Sequence, residues 1–324
     1  MKTRITGTGS YLPEKIISNE ELAQWVDTSD EWISTRTGIK KRRIAAGETA
    51  GEMAARAAKR ALENSGTSPE QIQMIIVATC SKEQCFPSLA CQVQKEIGAV
   101  SAASFDLSAA CSGFLYALNT AHAYIRAGIY EKILIVGTEV LSDLVDWTDR
   151  STCVLFGDGA GAVVVEASEQ GMDGFVQYAD GSKGEVLTCK GRSRKKFFQD
   201  GEEDGKPEDS YISMNGQEVF KFAVKKVPEC IEQVLEQTGY EKEKIRWYFL
   251  HQANSRIIRS VAKRLEEPEE KFPMNLMEYG NTSAASIPIL LDEMNRKGEL
   301  VRGDKVILSG FGAGLTWAAA LLTW

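Results

Sequence analysis

Apolar positions along this chain switch repeatedly between two spacings. Over 50–65, Met53, Ala57, Ala58, Ala61 and Leu62 form one helical stripe, and Gly66 can stop it. The run IQMIIVAT at 72–79 reads instead as a buried strand, and PSLACQVQKEIG at 87–98 as a helix. A strand around 104–107, a helix from about 112 to 127 and the strand KILIVG at 132–137 continue the alternation. In the second half, 217–238 places Val219, Phe220, Ala223, Val227, Ile231 and Val234 on an apolar stripe, with Pro228 able to kink it. IRWYFL at 245–250 reads as a strand running directly into His251. Helices at about 254–265 and 284–297 and strands at 305–310 and 315–323 follow. Helices alternating with apolar strands predict an α/β fold whose sheet is covered on both faces.

The pattern also hints at duplication. CVLFGDGAGAVVVE (153–166) and VILSGFGAGLTWAAALL (306–322) both read strand, glycine-rich turn, strand. The α/β order repeats on both sides of residue 170, which predicts two similar halves, 1–170 and 171–324, packed together. Between them, 189–210 (CKGRSRKKFFQDGEEDGKPEDS) is dense in charge and poor in aliphatics, as expected of a solvated excursion.

The strongest local chemical signal lies in SFDLSAACSGFLYALNTAHAYIRAG. Ser104 to Leu107 reads as a strand, and Phe114, Leu118, Ala121 and Ile125 follow helical spacing. Cys111 therefore falls at a strand-to-helix turn, beside free backbone N–H groups and the positive end of a helix dipole. Both favour a thiolate and predict a lowered thiol pKa. The small neighbours Ala109, Ala110, Ser112 and Gly113 leave room for a substrate carbonyl. An inert core cysteine is the competing reading from position alone. His122 lies on the same helix among apolar neighbours, where a packed or surface histidine is the better reading.

Composition narrows the options. At 324 residues the chain exceeds the usual single-core size, so two core-forming units are expected. The 43% hydrophobic and 26% charged fractions are those of a soluble globular protein. No apolar run approaches bilayer length, and MKTRITGTGSYLPEK lacks the apolar core of a secretory leader, so a cytoplasmic location is the expectation. A formal charge of −7 argues against general nucleic-acid affinity. Seven cysteines in a long chain without a leader argue against a disulfide framework. Cys80, Cys85 and Cys91 contain no C-x-x-C pair and have no histidine nearby, so no metal site is expected there. With only His122 and His251 in the chain, any mechanism that needs a histidine must choose between them.

Six segments in order resemble the β-ketoacyl-acyl-carrier-protein synthase III family of the thiolase superfamily. They are DEWISTRTGI near the start, SAACSGF around Cys111, TDRSTCVLFGDGAG in the middle, HQAN at 251–254, YGNTSAASIP at 279–288 and GFGAGLTW at 310–317. The resemblance covers nearly the whole chain, with 189–210 the poorest match. It implies a thiolase fold: two similar βαβαβ-type halves in a five-layered α-β-α-β-α arrangement, usually as a homodimer. It also implies a Cys-His-Asn triad on Cys111, His251 and Asn281; an asparagine in place of a second histidine favours the initiating class over the elongating one. The implied reaction moves an acyl primer from acyl-CoA to Cys111. Malonyl-acyl-carrier protein then loses carbon dioxide and condenses with it, giving a β-ketoacyl-carrier protein. No permanently bound cofactor is implied.

Further roles come with the resemblance. Backbone N–H groups of Cys111 and Ala313 would form the oxyanion hole; Ala313 keeps the needed donor but, unlike glycine, resists positive φ. Trp32, Arg36 and Arg150 would contact the adenine and phosphates of coenzyme A, and Asn254 would position the pantetheine arm or a water. Phe86 would cross the dimer interface to close the partner's acyl pocket, with Leu141 and Phe156 as further pocket residues. On the helix after His251, Arg256, Arg259, Lys263 and Arg264 form a cationic patch suited to an acidic carrier protein. Another superfamily enzyme making a secondary metabolite or a longer β-keto product and a cysteine thioesterase or hydrolase remain rivals. So does a non-catalytic acyl-carrier-binding scaffold, against which the intact triad argues; the primer is left open.

Overall fold

A computed structural model of the chain describes residues 1–191 and 211–324. Two sheets organise it. The first contains β1 (Lys2–Tyr11), β2 (Met74–Ala78), β3 (Ala103–Leu107), β4 (Lys132–Glu139) and β5 (Gly159–Ser168), in the spatial order β1-β5-β4-β2-β3. The second contains β6 (Met172–Ala179), β7 (Trp247–Leu250), β8 (Lys305–Gly312) and β9 (Thr316–Thr323), in the order β7-β8-β9-β6. Starting from β1, successive pairings run antiparallel, antiparallel, parallel, parallel. From β6 they run antiparallel, antiparallel, parallel. The two halves share one topology, and the second sheet lacks a counterpart of β3.

Helices fill the remaining layers. α2 (Ala50–Ser65) and α3 (Leu89–Ile97) cover the outer face of the first sheet, and α5 (Gly216–Thr238) and α6 (Ser255–Leu265) that of the second. α4 (Gly113–Arg126) and α7 (Ser286–Arg296) lie between the sheets and touch both. The result is the five-layered thiolase arrangement. Both faces of a central strand are buried, so its sequence must be continuously apolar. In β2, Met74, Ile76 and Ala78 join the core around α4 and α7, while Ile75 and Val77 join the core under α2 and α3. The stripe on α2 is fully buried, and the helix opens on a Thr49–Glu52 capping box and closes at Gly66, φ +66°. Pro228 sits inside α5 without ending it.

One sequence expectation changes, and two strands went unread. The 153–166 segment is not strand, turn, strand: 151–155 form turns, and only Gly159–Ser168 is a strand. Phe156 bridges to Asn281 instead of to a neighbouring hairpin strand. The true counterpart of the β8–β9 hairpin is β4–β5. The edge strands β1 and β6 were missed, because their mixed Thr, Gly and polar content hides the period. Most of the charged excursion, 192–210, lies outside the described residues; Leu187–Cys189 and Ile212–Met214 pair antiparallel at its ends. Among the described residues no helix is long and apolar enough to cross a membrane.

Candidate active site

Cys111 lies in a single 3-10 turn, Ala110–Ser112, between β3 and α4. The turn is held in a costly shape: Ala110 has φ +46°, in a region that a residue with a Cβ normally avoids. The Ser112 hydroxyl is 2.6 Å from that of Thr316, the first residue of β9, and the Thr316 hydroxyl also lies 3.2 Å from the Ala109 carbonyl. The second sheet thus clamps the turn of the first. The end of β8 approaches so closely that a Cβ on Gly312 would lie 2.7 Å from the Cys111 nitrogen. Gly310 points to the same side of β8, where a Cβ would lie 3.3 Å from that of His251. Two steps along a strand span about 7 Å, so His251 and Cys111 flank one short stretch of β8.

His251 follows β7 and is buried. Its backbone N–H donates to the Ser309 carbonyl at 2.9 Å, its Nδ1 lies 2.7 Å from the Ser286 Oγ, and Phe311 packs edge-on at 5.4 Å. Burial pushes its pKa down to about 3, so the ring is neutral at physiological pH. Asn281 is also buried and fixed from three sides. Its N–H donates to the Leu155 carbonyl at 2.8 Å, its carbonyl accepts from the Gly157 N–H at 3.0 Å, and its Oδ1 accepts from the Ser283 N–H at 2.9 Å. The side-chain oxygen being occupied, the amide Nδ2–H groups are what Asn281 offers to the site. Ser283, beside Cys111, carries a second strained backbone at φ +48°.

The Cys111 thiol departs from expectation. Burial pushes its pKa up to about 12, an effect Glu139 reinforces and Ser283 only partly offsets. Desolvation of the charged form outweighs the favourable turn at the helix end. Sequence reasoning also missed Glu139, a fully buried carboxylate at the end of β4. It accepts from the Ser81 hydroxyl at 2.6 Å, the Cys80 N–H at 3.1 Å and the Thr79 hydroxyl at 3.3 Å. The Cys80 thiol donates to it at 3.3 Å. An acid ending an otherwise apolar strand was the legible signal.

The geometry has close parallels. A family model described as 3-oxoacyl-[acyl-carrier-protein] synthase III matches residues 105–184, and its C-terminal companion matches 235–324. The chain is 52% identical over 323 residues to the β-ketoacyl-[acyl-carrier-protein] synthase III of Clostridium acetobutylicum, covering 99% of this chain and 98% of that relative. The crystal structure of 3-oxoacyl-[acyl-carrier-protein] synthase III from Aquifex aeolicus superposes with a TM-score of 0.93 at 47% identity, covering 99% and 100% of the two chains. This chain belongs to the 3-oxoacyl-[acyl-carrier-protein] synthase III family. The priming β-ketosynthase of the R1128 polyketide pathway is similar too, with a TM-score of 0.92 at 37% identity over 99% and 96% of the chains.

Most of the other residues that the synthase III resemblance singled out gather into two groups. Trp32 and Arg36 on α1 (Asp30–Thr37) meet Arg150: the guanidiniums stand 4.7 and 5.4 Å from the indole ring. Arg150 also donates to the Asp27 carbonyl at 2.7 Å. Asn254 caps α6 by accepting from the Arg256 N–H at 2.8 Å and donates to the Arg36 carbonyl at 3.0 Å, so it ties the Trp32 helix to the cationic helix. On α6 all four cations are exposed, but Arg259 pairs with Glu269 at 3.4 Å and Arg264 with Glu229 at 3.6 Å. Arg256 and Lys263 form no ion pair among the described residues. Leu141 and Phe156 share one core, whereas Phe86 stands apart from them, 84% exposed. Ala313 avoids positive φ because Gly314 takes it, at +139°.

Proposed function

We propose that this chain is a β-ketoacyl-acyl-carrier-protein synthase III that starts fatty acid synthesis by decarboxylative Claisen condensation. The observation that carries the reading is the pair of donors beside Cys111. His251 is neutral with Nδ1 already engaged, and Asn281 has its oxygen engaged, which leaves each a nitrogen free to donate, and both residues sit on segments that close around the Cys111 turn. In the first half-reaction the Cys111 sulfur attacks the thioester carbonyl of acyl-CoA. Coenzyme A sulfur leaves and takes up the proton the Cys111 thiol gives up, so one thioester and one thiol are exchanged for another such pair. The oxyanion formed in passing is met by backbone N–H groups of Cys111 and Ala313. In the second, malonyl-carrier protein loses carbon dioxide, and the charge that develops on its thioester oxygen is met by His251 and Asn281. Each donor is typically worth about 3 kcal/mol of transition-state stabilisation. The carbanion attacks the acyl carbonyl, and Cys111 leaves.

On this reading Trp32, Arg36 and Arg150 hold the coenzyme A nucleotide, by ring stacking and guanidinium–phosphate pairing, and Asn254 positions the pantetheine arm. Leu141 and Phe156 bound the acyl pocket, and the exposed Phe86 enters that of a partner. A homodimer is supported by that exposure and by β3, which forms one edge of its sheet. The enzyme would work in the cytoplasm without a resident cofactor, as two halves meeting at residue 170. Incubation with an acyl-CoA panel and malonyl-carrier protein, followed by mass analysis, tests the reading: a β-ketoacyl-carrier protein supports it. Free fatty acid without condensation product would mean a thioesterase instead.

A further inference from the structure

Beyond the triad, we infer that Ser286 is a positioning residue that holds His251 in the tautomer with its proton on Nε2. The inference rests on the condensing reading for its consequence but on local geometry for its substance. Ser286 opens α7 and is buried, and its Oγ is 2.7 Å from His251 Nδ1. The same oxygen accepts the backbone N–H of Gln252 at 3.3 Å. The hydroxyl has one proton of its own, and among the described residues it meets no carbonyl or carboxylate that could accept it. A buried hydroxyl proton without an acceptor is costly, so Ser286 donates to Nδ1. Nδ1 is then the acceptor, and the single ring proton sits on Nε2, the nitrogen left to face the site.

The surroundings keep this arrangement in place. Gln252 is itself locked, its amide donating to the Leu250 carbonyl at 2.7 Å and accepting from the Asn275 N–H at 3.1 Å. Among the described residues no charged side chain pairs with the ring, so none competes with the hydroxyl for Nδ1. The site therefore holds its donor ready before substrate arrives, and a histidine with the other tautomer would present a lone pair to the developing oxyanion.

The chain has two histidines, so protein labelled with 15N-histidine gives two ring systems, assigned with a His122→Gln variant. At pH 7 the resting wild-type enzyme should show His251 with a protonated Nε2 and an acceptor Nδ1. Ser286→Ala should populate the other tautomer and slow condensation at least about tenfold more than it slows acylation of Cys111. Ser286→Thr, which keeps the hydroxyl, should restore both. A proton on Nδ1 in the wild type overturns the inference, as does an unchanged ring spectrum in Ser286→Ala. The wild-type spectrum stands even where a variant does not fold. Should the wild type make no β-ketoacyl product at all, the condensing reading falls while the tautomer result remains.

Discussion

In the first half, the strands β2, β3 and β4 run in parallel; the first two end just before Cys80 and the Cys111 turn, and the third at Glu139. In the second half, β7 and β8 end at His251 and Gly312, and the turn before α7 carries Asn281. Both halves thus use the place where open α/β sheets favour ligands, the crevice beyond the carboxyl ends of parallel strands. What they put there differs. The first half supplies acids, and desolvation raises the pKa of Cys111 and Glu139. The second supplies a base and an amide, and burial lowers the pKa of His251. One desolvated crevice therefore works against charge in both directions. On the proposed reading, His251 and Asn281 each keep a free donor at rest, whereas burial holds the Cys111 thiol protonated there.

Removing the nucleophile should break the comparison most completely. Cys111→Ala is expected to abolish the single acyl mass that acyl-CoA adds to each chain, with the label of the wild type mapping to the peptide containing Cys111. Persistent labelling in the variant would remove Cys111 from its role. Next in size are the donors. His251→Ala and Asn281→Ala should slow condensation by about a hundredfold or more, the usual effect of losing an oxyanion donor, and slow acylation far less. Single-turnover assays with pre-acylated enzyme separate the steps; a variant that acylates poorly yet condenses normally would reverse the division of labour between the halves.

How much of this was readable beforehand follows from the physics of each element. Strands buried on both faces, such as β2 and β4, declare themselves as continuous apolar runs. β1 and β6 do not, because their strand character comes from pairing rather than from side chains. The glycine turn at 153–158 misled because its backbone is claimed by Asn281 and Arg43, distant residues that local sequence cannot reveal. Cys111, His251 and Asn281 were singled out by the motifs around them, and their joint role is the proposal made above. Glu139 left a trace, an acid ending an apolar strand, that went unread; the service of Ser283 and Ser286 left none, since it depends on which element packs beside them. The thiol pKa was misjudged for a related reason: a helix end is visible in sequence, and the depth of burial is not.

The cationic helix distinguishes the halves at their surface. Among the described residues Arg256 and Lys263 have no acidic partner, whereas Arg259 and Arg264 are already paired. Replacing Arg256 and Lys263 by Glu should raise the apparent KM for malonyl-carrier protein several-fold at low salt, fading as ions screen charges over about 8 Å at physiological strength. Acylation by free acyl-CoA should change much less, because Trp32, Arg36 and Arg150 lie on other elements. Equal losses with both substrates would mean that α6 supports the active site instead of docking the carrier.

The smallest effect separates the two histidines themselves. His122, on α4, has Nδ1 2.8 Å from the Thr3 hydroxyl and Phe175 edge-on at 6.0 Å, much as His251 has Ser286 and Phe311. Burial, with lesser help from Arg126 and the N-terminal amine, lowers its pKa to about 4. It differs in having no reactant to face, so its protonation should register in stability alone. Its folded pKa lies below the unfolded value of about 6.5, so the neutral ring favours folding above that pH. The contribution is lost as pH falls from there toward 4, because the unfolded chain takes up the proton first. Between pH 6 and 5 the loss from one such histidine approaches about 1.4 kcal/mol per pH unit. Urea unfolding of the wild type and His122→Gln across that interval should show the variant losing about 1 kcal/mol less. Subtracting the two curves cancels the carboxylates common to both, including Glu139 and Asp158, whose raised pKa values act with the opposite sign. Parallel curves would mean that His122 titrates in the folded state as freely as in the unfolded one, and that its likeness to His251 is only geometric.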